Sequence, residues 1–221
     1  MRRLAAGVSA EPRFRPALYV LAGVNGAGKS SIAGARFRAR GGDYFDPDEA
    51  TEAILRKNPG ASRADANSAA WQEGVRLLRR AIDERLSFAV ETTLGGKTIP
   101  ALIRSAAEAD LQVRVWYVGL EGPELHLARV RARVALGGHD VPAARIRERY
   151  HGSRANLVRL LPHLAELRLW DNSAEADPAR GFTPDPRLIL HLREGRITSL
   201  CPLADVTHWA KPIVLTVLGR A

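Results

Sequence analysis

Residues 18–31 read LYVLAGVNGAGKSS. The apolar run Leu18-Tyr19-Val20-Leu21-Ala22 lacks a polar face, which is the pattern of a parallel strand buried on both sides. Gly23-Val24-Asn25-Gly26-Ala27-Gly28-Lys29-Ser30 then matches G-x-x-x-x-G-K-[ST] in full, and residues 31–40 can be helical. Strand, glycine loop and helix in that order predict a phosphate-binding loop. Glycines reach dihedrals that are costly for other residues, so successive N–H groups can turn toward one anion. The helix that follows adds its free N–H groups and the positive end of its dipole. The nucleotide would therefore lie against Gly23, Val24, Asn25, Gly26, Ala27, Gly28, Lys29, Ser30 and Ser31. Lys29 would reach the β- and γ-phosphates and the Ser30 hydroxyl a magnesium ion, so the implied cofactors are ATP and Mg2+.

With 221 residues the chain can bury a core of its own and reads as one α/β domain with a small appendage. Hydrophobic content of 46% and charged content of 26% are ordinary for a soluble protein. No apolar run approaches a membrane span, so no membrane partner is expected. The single cysteine, Cys201, excludes an internal disulfide and suits a reducing cytoplasm. Residues 1–16, with Pro12 and Pro16, read as a loose leader and not as a secretory signal. The net charge is +9, and lysine occurs only at 29, 57, 97 and 211. This arginine bias reflects either base composition or a phosphate-rich partner. The low aromatic content, 6%, and the lack of a recognition motif argue against nucleic acid and for an anionic small-molecule substrate.

Two further strands end in acids. One, over 43–45, leads into Asp46-Pro47-Asp48-Glu49; the other, over 87–90, leads into Glu91-Thr92-Thr93. Ligands of open α/β sheets gather outside the carboxyl ends of the strands, so Asp46, Asp48, Glu91 and Thr92 are candidates for substrate binding. Asp48 is placed to meet a substrate hydroxyl, and Asp48 or Glu91 could hold the metal through water. Each acid also has a plainer reading as a helix cap. Helical patterns run to about 56 and over 62–86, 99–109, 123–136 and 143–161, with strands over 112–119 and 166–170. Trp71, Val75, Leu78 and Ile82 form one stripe, expected to face the core. Gly137-Gly138-His139-Asp140-Val141-Pro142 joins two arginine-bearing helices and suggests a hinged lid at about 122–161. Arg133 and one of Arg147 and Arg149 are its candidate catalytic arginines, beside Lys29 and Asp48; such groups neutralise charge in phosphoryl transfer. His139 reads as a hinge or capping residue.

The loop after the fifth strand, Asp171-Asn172-Ser173, often flanks a nucleotide base in sheets of this kind. Residues 187–192 and 197–200 flank Arg193-Glu194-Gly195-Arg196 and predict a β-hairpin. Residues 214–218 are ambiguous, an edge strand or a disordered end. The expected architecture is α/β: a P-loop nucleotide-kinase-like three-layer sandwich over 17–175, with a central, mostly parallel five-stranded sheet and a helical lid. A carboxy-terminal extension over 176–221 would carry the hairpin.

Taken together, AGVNGAGKSS (22–31), YFDPDE (44–49), VETTL (90–94), RVALGGHDVP (133–142), RIRERYHGSRANL (145–157) and LWDNS (169–173) resemble the zeta-toxin family, in its order, over roughly residues 18–200. The resemblance implies an ATP-dependent kinase that phosphorylates the 3′-hydroxyl of the amino sugar in UDP-N-acetylglucosamine, with an antitoxin protein as a candidate partner. By position, Lys29 and Ser30 match the nucleotide and metal residues, Asp48 the aspartate that receives or orients the sugar hydroxyl, Glu91 the substrate-binding acid and Arg133 the first lid arginine. The pattern departs at the second lid arginine, where His139 stands and Arg147 or Arg149 would take the role. The alternatives are a kinase of this fold with another acceptor, such as an antibiotic or nucleoside, and a non-enzymatic ATP-binding module that contacts nucleic acid.

Overall fold

Five segments form parallel strands: β1 (Ala17–Ala22), β2 (Asp43–Phe45), β3 (Phe88–Thr92), β4 (Gln112–Gly119) and β5 (Glu166–Asp171). The computed structural model describes residues 15–29, 43–174 and 185–220. Most of the expected leader, Ser30 and Ser31, the helix expected over 31–40, the stop at Gly41-Gly42 and most of the connection over 174–186 lie outside the described residues.

The sheet has seven strands, not five. The predicted hairpin, β6 (Arg187–Arg193) and β7 (Arg196–Leu200), does not stand apart but adds antiparallel to the free edge of β5, giving the order β2-β3-β1-β4-β5-β6-β7. An apolar strand left at an edge exposes unpaired N–H and C=O groups, and the hairpin covers that edge. Its turn holds Glu194 and Gly195 at φ 49° and 73°.

The α-helices among the described residues are α1 (Pro47–Lys57), α2 (Arg63–Asp83), α3 (Thr98–Glu108), α4 (Gly122–Ala135), α5 (Ala143–Leu160) and α6 (Lys211–Leu218). Alternate strand residues Leu18, Val20, Val90, Val113, Val115 and Tyr117 form one core with Leu78 of α2, Ile103 of α3, Leu157 of α5 and Ile213 of α6. The opposite sheet face carries a smaller cluster of Leu21, Ala27, Ala89, Trp116 and Val118.

Two expectations are corrected here. Trp71 is 49% exposed and does not continue the buried stripe. It lines an outer groove of about 620 Å3 with Arg76, Arg79 and Arg80, while α2 packs through the smaller Ala66, Ala70, Gly74 and Ala81 along with Val75 and Leu78. Close approach explains the small residues: a Cβ on Gly74 would lie 2.6 Å from the Phe45 ring. Residues 214–218 are neither strand nor disordered. They belong to α6, whose Pro212 sits in the first turn and whose buried Ile213, Val214 and Val217 fall on one helical face.

Candidate active site

The chain leaves β1, runs out to β2, returns through β3 and crosses β1 to reach β4. The glycine loop after β1 thus lies between the end of β3 on one side and the ends of β4 and β5 on the other, at a switch point of the sheet. Gly23, Gly26 and Gly28 have φ of 149°, 82° and 85°. Gly28 is doubly constrained, because a Cβ there would also meet Asn172 Nδ2 at 2.5 Å. Among the described residues the N–H groups of Asn25, Gly26 and Gly28 donate to no protein acceptor. Orphaned donors on a loop in this conformation fit an anion with several oxygens, as a polyphosphate has.

Lys29 is buried. Its Nζ donates to the Gly23 carbonyl at 2.9 Å and lies 3.3 Å from Glu91 Oε1. Tyr44 donates to the other Glu91 oxygen at 3.0 Å. Burial pushes the Glu91 carboxyl above the usual carboxylate range; Lys29 opposes that rise and the charge of Asp46 adds to it. Glu91 therefore faces Lys29 of the glycine loop and does not cap α3, whose N-cap Lys97 makes no side-chain cap bond. Both Glu91 oxygens are engaged, and no cluster of three metal-ligating side chains occurs among the described residues; Ser30, the expected magnesium donor, lies outside them.

The other acids divide. Asp46 caps α1, accepting from Asp48 N–H at 2.8 Å and Glu49 N–H at 3.4 Å. Asp48, in the first turn of α1, leaves its side chain 51% exposed and 3.8 Å from His139 Nε2. Thr92 turns its hydroxyl to Leu94 N–H and gives its carbonyl to Gly23 N–H.

The two α5 arginines face different surroundings. Arg147 pairs with Glu124 at 2.9 Å on the surface. Arg149 donates to Asn25 Oδ1 of the glycine loop at 2.8 Å, and burial holds its guanidinium below the ordinary value, with the Asp48 charge acting against that. Arg133 donates to the His139 carbonyl at 3.2 Å and so fixes the hinge to α4. From Tyr150 onward α5 is part of the main core, so only its first turns face the loop.

Three residues outside the glycine loop support it, and none of these contacts was expected from the sequence. His126 Nδ1 lies 2.9 Å from the Asn25 carbonyl and must carry the proton, since a carbonyl only accepts. Burial drives this imidazole down to about 4, keeping it neutral. Asn172 donates to the Ala27 carbonyl at 2.9 Å, and its own carbonyl accepts from Arg129 at 2.7 Å. Tyr44 orients Glu91. Asn172 carried a signal in its place directly after a strand end and Tyr44 stood within YFDPDE, but nothing local marked His126.

A glycine loop flanked in this way, on a parallel sheet of order 2-3-1-4-5, defines a P-loop protein of the nucleotide-kinase type. Residues 4–169 match the zeta toxin family, and the chain belongs to it. An uncharacterized protein of Haemophilus influenzae is 32% identical over 132 residues, covering 58% of this chain and 88% of that protein. Among solved structures, a chain of the AvrRxo1-ORF1:AvrRxo1-ORF2 complex with sulphate ions matches with a TM-score of 0.63 at 19% identity, over 92% of this chain and 64% of that one. This chain thus spans just under two thirds of that relative. The same complex solved with ATP also gives 0.63, at 18% identity. A chain of the PezAT chromosomal toxin-antitoxin system of Streptococcus pneumoniae matches with a TM-score of 0.52 at 14% identity, over 93% of this chain and 85% of that one. These structural likenesses establish the fold. No described helix is long and apolar enough to cross a membrane.

Proposed function

We propose that this protein is an ATP-dependent kinase that transfers the γ-phosphoryl group to a hydroxyl of a nucleotide-activated sugar, with UDP-N-acetylglucosamine as the acceptor that membership of the zeta toxin family favours. The observation that carries the reading is the meeting of orphaned loop N–H groups, the buried Lys29–Glu91 pair and exposed Asp48 at one end of the sheet. When bound, ATP with Mg2+ supplies the transferable group.

The residues divide the remaining work. Asn25, Gly26 and Gly28 N–H groups bind phosphate oxygens. Lys29, now on the Gly23 carbonyl and Glu91, would turn to phosphate, and the Ser30 hydroxyl would be the metal donor. Asp48 accepts the proton of the acceptor hydroxyl, within reach of solvent. Glu91, freed from Lys29, binds a second acceptor hydroxyl. Arg149 and Arg133 neutralise charge on the transferring group, and α4 and α5 exclude water from it. His139, beside Asp48, orients its carboxylate. A cytoplasmic location and an antitoxin partner belong to the same proposal, supported by the lone cysteine and the family.

The test is mass spectrometry of the protein incubated with ATP, magnesium and a panel of UDP-sugars, nucleosides and aminoglycosides. The proposal predicts a phosphorylated UDP-N-acetylglucosamine that disappears with Asp48→Ala, while that variant still binds ATP. Phosphorylation of another panel member alone would replace the acceptor. Transfer at the normal rate by Asp48→Ala would remove Asp48 from its role.

A further inference from the structure

The zeta toxin match ends at residue 169, yet the chain beyond it closes onto the same end of the sheet as the glycine loop. Trp209, just before α6, is 1% exposed. Its ring stacks on Tyr117 with centroids 6.0 Å apart and lies so close to Gly119 that a Cβ there would come within 2.4 Å. Its indole N–H donates to Asp171 Oδ1 at 2.8 Å. The same oxygen accepts from the Ser173 hydroxyl at 2.6 Å, and the Ser173 oxygen accepts from Glu121 N–H at 2.7 Å. Between these anchors Asn172 has its N–H on the Gly119 carbonyl at 3.0 Å and its side chain on the Ala27 carbonyl at 2.9 Å.

These bonds run in series from the carboxy-terminal segment to the loop. A buried indole N–H and a buried carboxylate both require partners, and here each satisfies the other. Without the indole, Asp171 keeps the Ser173 hydroxyl and an Arg187 contact at 3.9 Å. The carboxylate would then be drawn toward Arg187, and Ser173 and Asn172 with it. Burial of the Trp209 ring alone accounts for packing but not for an N–H aimed at the residue that leads into Asn172.

We propose that Trp209 is a positioning residue of the nucleotide site: through Asp171 it fixes residues 171–174, and through Asn172 it holds the glycine loop with its N–H groups presented. The carboxy-terminal segment is then a working part of the site and not a separate appendage. This rests on the reading of residues 23–30 as an ATP site, and the test separates the two.

The experiment uses the full chain as wild type, Trp209→Phe and Val214→Ala. Phenylalanine keeps a ring against Tyr117 and removes the N–H. Val214, 2% exposed on α6, is a packing control that leaves the Asp171 bond intact. Amide hydrogen exchange without nucleotide should rise at residues 23–29 and 171–174 in Trp209→Phe only. The ATP dissociation constant should rise about tenfold in that variant, the size of one lost bond to a charged group, and stay within twofold of wild type in Val214→Ala. Unchanged exchange and affinity in Trp209→Phe overturn the proposal, and so does an equal effect from Val214→Ala. If wild type fails to bind ATP while exchange at 23–29 still rises in Trp209→Phe, the coupling stands and the nucleotide reading falls.

Discussion

Two positions apart on α5, Arg147 reaches out to Glu124 in solvent while Arg149 turns in to Asn25. An exposed ion pair contributes about 1 kcal/mol at most, whereas an arginine at the transferring phosphate is worth ~10³-fold in rate. Arg149→Ala should therefore lower kcat of ATP-dependent transfer by about 10²-fold or more, and Arg147→Ala should leave it within twofold; steady-state rates on the acceptor check both. His126 gives a pH signature. Its folded value of about 4 lies below the ordinary 6.5, so between those values the unfolded chain binds more protons than the folded one. Stability from this residue is full above 6.5 and is lost as pH falls toward 4. The gap corresponds to roughly 3 kcal/mol. Urea unfolding from pH 7 to 4 should show wild type losing stability more steeply than His126→Gln; parallel curves would mean that the imidazole is not held neutral.

α5 docks on the loop after β3 through two glycines. A Cβ on Gly152 would lie 2.9 Å from the Gly95 carbonyl oxygen, a backbone atom that gives way only if the loop or the helix shifts. In an open helix Gly→Ala stabilises by about 1 kcal/mol; here the overlap reverses the sign. Gly152→Ala should cost ~1–3 kcal/mol, read as a lower urea midpoint, and should reduce transfer because Arg149 lies one turn away. Such contacts explain what the sequence could and could not reveal. β1 and β3 were legible because burial on both faces makes each a largely apolar run, and the glycine loop because its dihedrals demand glycine. The Trp71 stripe misled because helical spacing says which residues share a face, not where the neighbouring layer stops. Residues 214–218 looked strand-like from β-branched composition, although their spacing and Pro212 favour a helix. The Lys29–Glu91 pair, the His126–Asn25 bond and the Trp209–Asp171 bond join positions 62, 101 and 38 residues apart, and no local pattern encodes such pairings.

The order β2-β3-β1-β4-β5 brings acids from one side of β1 and the Asn172 loop from the other to a single loop, while the hairpin and α6 extend the same sheet and core past the family match. The described residues thus share one sheet and one main core beside residues 23–29, and stability and nucleotide affinity should fall together when the carboxy-terminal segment is removed. Truncation after residue 186 should expose Leu167 and Leu169 of β5, which are fully buried, and give insoluble or molten protein by near-UV circular dichroism. The most direct measurement is a crystal structure with a non-hydrolysable ATP analogue, magnesium and UDP-N-acetylglucosamine. The triphosphate should lie on the N–H groups of 25–28, Lys29 should leave Glu91 for phosphate, and Asp48 should be within hydrogen-bond distance of a sugar hydroxyl. An analogue bound elsewhere, or a filled loop with Lys29 still on Glu91 and Asp48 turned away from the acceptor, would contradict the assignment.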